Sequence, residues 1–436
     1  MSALQATAGG PVAVTGRRPD LPALTGLRIF GALGVFLLHS LMLADPLKPS
    51  VPMSFFADRG IAVPVAHLVG KAGFIGVSFF FVLSGFVLCW SARPVLDRRA
   101  FIRRRLVKIF PNHVALWIVT MLLVPAVAGF WRPLANLLLI HAWFDDPKTF
   151  ISVNSPAWSL CCELLFYLSF PFLIGPVRRI AEHRLWYWAA AMIAGMAGIA
   201  LINNFAVPDH PRSALLPMAV PQQWFGYIFP APRLFEFVLG MILARILIAG
   251  RWPRIRLWQA GLLAAAGYVA TLYVPSPFDF ILAMIVPVAV LIPTAAAADL
   301  AGGARWLRSR PMVWLGKVSF AFYLCQGVVL FQGRLWLGGD RTYSTPVAFG
   351  LWLTLFAATL LVGWLLFIGV EEPMMRRFSR RRPRTTPPVP AEPAEPVTRA
   401  PVTKELAAKE PAVKEPEVAE PAAKEPQEQV TPAVAG

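Results

Sequence analysis

Arg28 and His39 lie in one apolar run, LTGLRIFGALGVFLLHS (residues 24–40). A charge and a titratable ring inside a run of membrane-crossing length are costly unless they face a protein interior or a water-filled path, so both are candidates for function. They stand 11 positions apart (39 − 28). On an α-helix that is three turns plus roughly 20°, which puts both side chains on one face about 16 Å apart along the axis. The stripe reads as a line through a bilayer: a ring suited to moving protons near neutral pH and a guanidinium suited to holding negative charge.

Other polar groups recur inside apolar segments. SPAWSLCCELLFYLSFP (155–171) carries Ser159 and Glu163 four apart, with Tyr167 four beyond Glu163. A carboxylate at that depth needs a partner or a proton; a structural Glu–Arg pair between helices is the plain reading, and a functional role beside Arg28 or His39 the sharper one. In RRAFIRRRLVKIFPNH (98–113), Arg104 and Lys108 are four apart and Arg105 and Lys108 three apart, so they share a helix face. Topology-setting charge explains most of that cluster; the alternative is an anion site for phosphates. Arg233 and Glu236, three apart, read as a local ion pair, and Glu372 in GVEEP as a partner for neighbouring basic loops. The four cysteines (Cys89, Cys161, Cys162, Cys325) all fall in apolar segments and read as buried free thiols. No histidines or cysteines have metal-ligand spacing, so no metal is expected.

These groups must be held by membrane helices. The chain has 436 residues, 57% of them hydrophobic, with apolar runs long enough to cross about 30 Å of hydrocarbon. The expected fold is all-α, a polytopic transmembrane helix bundle of about ten spans: 25–44, 73–92, 109–130, 158–177, 185–203, 231–249, 257–274, 278–298, 312–332 and 347–370. The first span carries Arg28 and follows a polar N-terminus, which predicts a retained helix rather than a cleaved signal peptide. With that alternation, loops on one side carry 26 Lys and Arg residues and loops on the other carry nine. The bias predicts a multi-pass protein of the cell membrane with both termini cytoplasmic. The +17 net charge is thereby explained by topology. Nucleic acid is excluded as a partner, because the basic residues cluster at segment ends without aromatic interleaving. The segment 131–144 is too short to span, and is expected at the outer interface or as a re-entrant element. Residues 1–21 form an N-terminal segment, 22–380 the membrane domain, and 381–436 a disordered cytoplasmic tail of Pro, Glu, Ala and Lys without aromatics. The basic cluster MMRRFSRRRPR (374–384) before the tail is expected to contact anionic membrane lipid.

Taken in order, these pieces resemble the acyltransferase-3 family of integral membrane acyltransferases over about residues 22–380. Arg28 to His39 is similar to the family's first-helix Arg and His pattern, and GFIGVSFFFVLSGFVL (73–88) to its second helix. Arg105-Leu-Val-Lys108-Ile-Phe-Pro111 matches an Arg-x-x-Arg-Ile-x-Pro element, with Lys108 for the second Arg. Trp158-Ser-Leu-x-x-Glu163-x-x-Phe166-Tyr167 matches the fourth-helix signature. LGKVSFAFYLCQ (315–326) and GVEEP (369–373) match late motifs, the former ending in Gln326 where the family usually has His. The opening helix most resembles an actinobacterial branch that includes macrolide O-acyltransferases.

The resemblance implies an O-acyltransferase, often an acetyltransferase, with acyl-coenzyme A as co-substrate and no bound cofactor. Its acceptor would be a hydroxyl of a carbohydrate, glycolipid or secondary metabolite of the cell envelope or its products. His39 is then the expected general base and Arg28 the holder of donor or oxyanion charge. Ser159 and Glu163 would orient His39 or the acceptor, and Arg104, Arg105 and Lys108 would lie near the donor phosphates. Trp158, Tyr167, Arg233, Glu236 and Glu372 support the site. Direct transfer and an acyl-histidine relay both fit, and the side from which the acceptor arrives and the oligomeric state stay open. Some family members carry a fused extracytoplasmic hydrolase-like domain; the low-complexity residues 381–436 predict none here. The rival from another class is a transporter or flippase of lipid-linked or glycosidic substrates; such folds often show internal repeats, and the two halves of this chain show no self-similarity. A catalytically idle membrane sensor is the third reading.

Overall fold

The computed structural model describes residues 18–45, 50–123, 129–213 and 218–378. The expectations for the N-terminal segment before residue 18 and for the tail after residue 378 lie outside them. The helices are α1 (Pro22–Leu41), α2 (Arg59–Ser91), α3 (Arg98–Leu123), α4 (Trp131–Leu137), α5 (Pro147–Phe150), α6 (Trp158–Arg179), α7 (Leu185–Phe205) and α8 (Val220–Gln223). They continue as α9 (Leu234–Ile248), α10 (Leu257–Thr271), α11 (Leu282–Leu300), α12 (Arg310–Trp336), α13 (Thr345–Leu366) and α14 (Glu372–Phe378). Among the described residues no β-strand forms, only the isolated bridges Phe56–Tyr343 and Arg212–Ala219.

Helices occupy all ten expected spans, and among the described residues eight stretches are long and apolar enough to cross a membrane. The other two, α9 and α10, have 15 residues each and at 1.5 Å per residue reach only about 23 Å. Two boundaries also move outward in the sequence sense: α2 begins at Arg59 and runs through Pro64, and α3 begins at Arg98, so its arginines lie within the helix. Two single π-turns interrupt the helical run, Trp224–Ile228 ahead of α9 and Phe367–Glu371 between α13 and α14.

The basic loops are tied together at one end of the bundle. Arg18 donates to the Trp90 carbonyl (2.9 Å), Arg178 to the carbonyls of Ala92, Arg93 and Pro94, and Arg245 to that of Arg178 (2.6 Å). α1 has no side-chain cap of its own; Asp299 of α11 supplies one, accepting from the Ala23 N–H at 2.8 Å while its other oxygen meets Arg308 at 3.1 Å. A carboxylate at a helix N-terminus satisfies an orphan donor and complements the helix dipole.

The short segment 131–157 is folded into the bundle. Asn136, His141, Thr149, Ser152 and Asn154 within it are all buried. Asn136 accepts at its carbonyl from the His113 ring (3.0 Å), and Asn154 Nδ2 donates to the Leu324 carbonyl (3.1 Å). Its polar side chains are thus packed against protein, while Trp131, Leu138, Trp143 and Phe144 stay exposed.

Close backbone approach sets the packing of the central helices. A Cβ on Gly316 would collide with the Thr25 carbonyl oxygen of α1, and Cβ atoms on Gly85 and Gly240 would collide with the Phe237 and Val82 carbonyls where α2 crosses α9. The partner in each case is backbone, which cannot rotate away. Gly240→Val is expected to destabilise the protein by about 3 kcal/mol, the upper end of overpacking. Thermal unfolding in detergent, followed by size-exclusion profile, measures this; an unchanged melting curve would show that the α2–α9 crossing is looser than described.

Candidate active site

α1 is held against α12 with the two helices parallel, so polar groups on their facing stripes meet in order. Arg28 Nε donates to Ser319 Oγ at 3.3 Å, and its guanidinium carbon lies 5.7 Å over the Phe80 ring. About two turns further along α12, Gln326 Nε2 donates to the Ala32 carbonyl (3.3 Å), which turns its Oε1 toward His39 Nδ1 at 3.2 Å. An amide oxygen only accepts, so in this arrangement Nδ1 carries the proton and Nε2 keeps a free lone pair. The His39 ring is half-buried and edge-on to Phe331 (6.0 Å). Ser319, Tyr323 and Gln326, spaced four and three apart on α12, form the stripe that faces α1 and α6; that spacing in an apolar span was the available signal for Ser319 and Tyr323, which the sequence reading did not single out.

α6 supplies Ser159 and Glu163. Tyr167 O–H donates to Glu163 Oε2 at 3.0 Å. Ser159 Oγ lies 2.7 Å from the Tyr323 hydroxyl, and both reach the Pro156 carbonyl, at 3.1 and 2.9 Å. On α3, the Arg105 guanidinium lies between Phe101 and Tyr167, 5.6 and 5.7 Å from their ring centres. Lys108 forms an ion pair with Glu371, whose second oxygen accepts from Asn112 Nδ2 at 2.7 Å. The π-turn Phe367–Glu371 aims this carboxylate inward. π-Turns gather at functional positions because the extra residue re-aims a side chain without ending the helix.

Arg28, Arg105, Lys108, Glu163 and Tyr167 share a cavity of about 490 Å³ that opens among the arginine-rich loops. Arg18, Arg28, Arg105, Lys108 and Lys317 line it against Asp20 and Glu163, a formal balance of +3 (5 − 2). Trp90, Tyr167, Phe80 and Phe320 provide aromatic surface. At its inner end Arg28, Phe80, Glu163 and Phe320 also border a small chamber of about 20 Å³, closed by Val77, Phe81, Ser159, Leu160 and Tyr323. Such a cavity can take a polyanion with an aromatic ring at the wide end and a small uncharged group at the narrow end.

Half of the expected site residues converge here: Arg28, Ser159, Glu163, Tyr167, Arg105 and Lys108 line one or both spaces. His39 does not line them; Gln326, its partner, lies one helical turn beyond Tyr323. Arg104 is absent from the lining, since three arginines in sequence on a helix point 100° apart. Trp158 packs behind the chamber against Tyr227 (4.9 Å) and Phe81 (6.4 Å). Arg233 and Glu236 form the local pair expected, at 3.0 Å, but in full burial, with the guanidinium between Phe81 and Tyr227 and bonded to Ser78. Glu372 requires a correction. It pairs with Arg376 of its own helix (2.8 Å), exposed, while its neighbour Glu371 takes the inward role. The four cysteines are free and buried.

Glu371→Ala should therefore strand Lys108 and Asn112. Loss of one partner of a buried pair costs 3–5 kcal/mol, and the partial exposure of Lys108 reduces that to about 2 kcal/mol here. Glu372→Ala should leave the melting temperature within a degree or two. Equal effects of the two substitutions in a thermal unfolding assay would overturn this assignment.

The family described as an acyltransferase domain, Acyl_transf_3, matches residues 21–368. Acyltransferase MdmB of Streptomyces mycarofaciens is 39% identical over 395 residues, covering 87% of this chain and 98% of that protein. The exopolysaccharide production protein ExoZ of Rhizobium meliloti is 27% identical over 328 residues, 71% of this chain and 92% of the relative. Peptidoglycan O-acetyltransferase OatA of Listeria monocytogenes is 23% identical over 367 residues, 72% of this chain and 54% of the relative. No solved structure matches.

Proposed function

The chain belongs to the Acyl_transf_3 family and is a multi-pass membrane O-acyltransferase; from that premise we propose that it transfers an acyl group from acyl-coenzyme A to a hydroxyl of a carbohydrate, glycolipid or secondary metabolite. The observation that carries the donor is the cationic cavity, whose five basic side chains and aromatic surface suit a phosphorylated nucleotide tail. A hydroxyl acceptor is supported by relatives named as peptidoglycan O-acetyltransferases.

The arginine-rich end faces the cytoplasm in this reading, by the bias of Lys and Arg toward cytoplasmic loops, and both termini lie there with the donor pool. The donor enters with its phosphates near Arg18, Arg105 and Lys317 and its thioester near Arg28. Lys108, already paired with Glu371, contributes a held charge. The acceptor hydroxyl oxygen attacks the thioester carbonyl carbon, and its proton passes through water to His39 Nε2, which lies about 16 Å from Arg28 along α1 and lines neither space. The new C–O bond forms, the C–S bond breaks, and the departing thiolate receives the proton. Arg28 stabilises negative charge on the carbonyl oxygen. Gln326 fixes the His39 tautomer and ring plane, so it is a positioning residue.

Purified protein in lipid nanodiscs with acetyl-coenzyme A and an envelope-sugar or macrolide acceptor should release thiol and yield an acetylated product by mass spectrometry. His39→Ala should lower kcat by about 10²–10⁴-fold with an unchanged size-exclusion profile. Gln326→Ala should lower kcat less and leave the donor KM unaltered. Arg105→Gln should instead raise the donor KM by about tenfold, the value of one charge-assisted hydrogen bond. Substrate movement across the bilayer without thiol release would favour a flippase and reject the proposal.

A further inference from the structure

The large cavity narrows to Arg28, Glu163, Phe80 and Phe320, the four residues it shares with the small chamber. We propose that this chamber is a length gauge for the acyl group: Val77, Phe81 and Leu160 form its end wall, which accepts a two-carbon acyl group and rejects one of four or more. The inference rests on the acyl-donor reading above and deepens it by assigning the donor class and the residues that select it.

The first support is size. The chamber measures about 20 Å³ against about 490 Å³ for the large cavity, so a group that passes the constriction must be short. The second is the rigidity of the wall. Phe81 is 1% exposed and Leu160 1%. Phe81 is held edge-on by Phe166 at 5.0 Å and covered by the Arg233 guanidinium at 5.1 Å. Close-packed side chains of this kind do not yield to an added methylene without cost.

The third is chemical. Ser159 and Tyr323 bring two hydroxyl protons to the chamber. One is spent on the Pro156 carbonyl and the other on the bond between the two hydroxyls. Neither is left to donate into the chamber. A carbonyl oxygen there finds its donor in Arg28, at the constriction, and the alkyl end of the acyl group is left against Val77, Phe81 and Leu160. The chamber thus fixes which end of a short acyl group points inward.

The test is release of free coenzyme A by the purified protein from acetyl-, propionyl-, butyryl- and hexanoyl-coenzyme A in the presence of the hydroxyl acceptor (envelope sugar or macrolide) that takes the acyl group. Wild-type kcat/KM should fall by about 10–200-fold for each methylene the wall refuses, with most of the loss beyond propionyl. The loss should lie in kcat rather than donor KM, because the nucleotide tail is held elsewhere. Leu160→Ala and Val77→Ala, each checked for an unaltered size-exclusion profile, should raise butyryl turnover at least about tenfold relative to acetyl. Val77→Ala removes only two methyls and keeps the test available if Leu160→Ala does not fold. Equal wild-type rates for acetyl and hexanoyl donors, or unchanged selectivity in a folded variant, overturns the gauge alone. Absence of thiol release from every donor overturns the acyl-donor reading and the gauge with it.

Discussion

The contact between α1 and α12 is the constraint on which the site depends. Gly316 lets the Thr25 carbonyl come within touching distance of the α12 backbone, and only at that separation do side chains of ordinary length meet in register. Arg28 then reaches Ser319, and Gln326 reaches both Ala32 and His39. Withdrawing α12 by the width of one methyl group would break all three bonds. Asp299 fixes the start of α1 from the far side, through the Ala23 N–H. The first helix is therefore pinned axially by a carboxylate and laterally by a glycine, and the polar stripe it carries inherits that precision.

A membrane bundle gains little from hydrophobic attraction between helices, because lipid is as apolar as leucine. What it gains instead is the cost avoided when polar groups find partners. The pairs Lys108–Glu371, Arg233–Glu236 and Lys71–Asp279 follow this rule, and none of their atoms could face lipid cheaply. They differ in what surrounds them. Arg233 and Glu236 are sealed between aromatic rings and line no described cavity. Lys108 has the same kind of carboxylate partner but keeps one side on the large cavity. Identical chemistry is thus structural in one place and available to a ligand in the other, and the distinction lies in packing alone.

That distinction explains how much was legible in the sequence. Helical character, the sites of the helices and the family resemblance follow from apolar run length and from motif order, which are local. Arg28 and His39 were visible because charge in an apolar run is costly wherever the helix goes. The choice between Glu371 and Glu372 was not visible: a π-turn decides which of two adjacent carboxylates faces inward, and no composition rule predicts a single inserted residue. Arg104 and Arg105 were equally hard to separate before the helix phase was known. The lengths of α9 and α10 were overestimated because apolar residues of the loop 229–233 ahead of α9 and of the loop 272–281 after α10 extend the hydropathy of the helices they adjoin.

Gln326 stands where the resembling family usually has histidine, and its geometry indicates what that position must do. A glutamine offers no titratable nitrogen, so no proton is exchanged there; what survives the replacement is an acceptor aimed at His39 Nδ1 and a donor aimed at the Ala32 carbonyl. A neutral histidine could also present one acceptor and one donor, from its two ring nitrogens. The two residue types are interchangeable in orienting a neighbouring imidazole and not in acid–base work. In the proposed mechanism the proton chemistry therefore falls to His39, and the α12 residue acts through it.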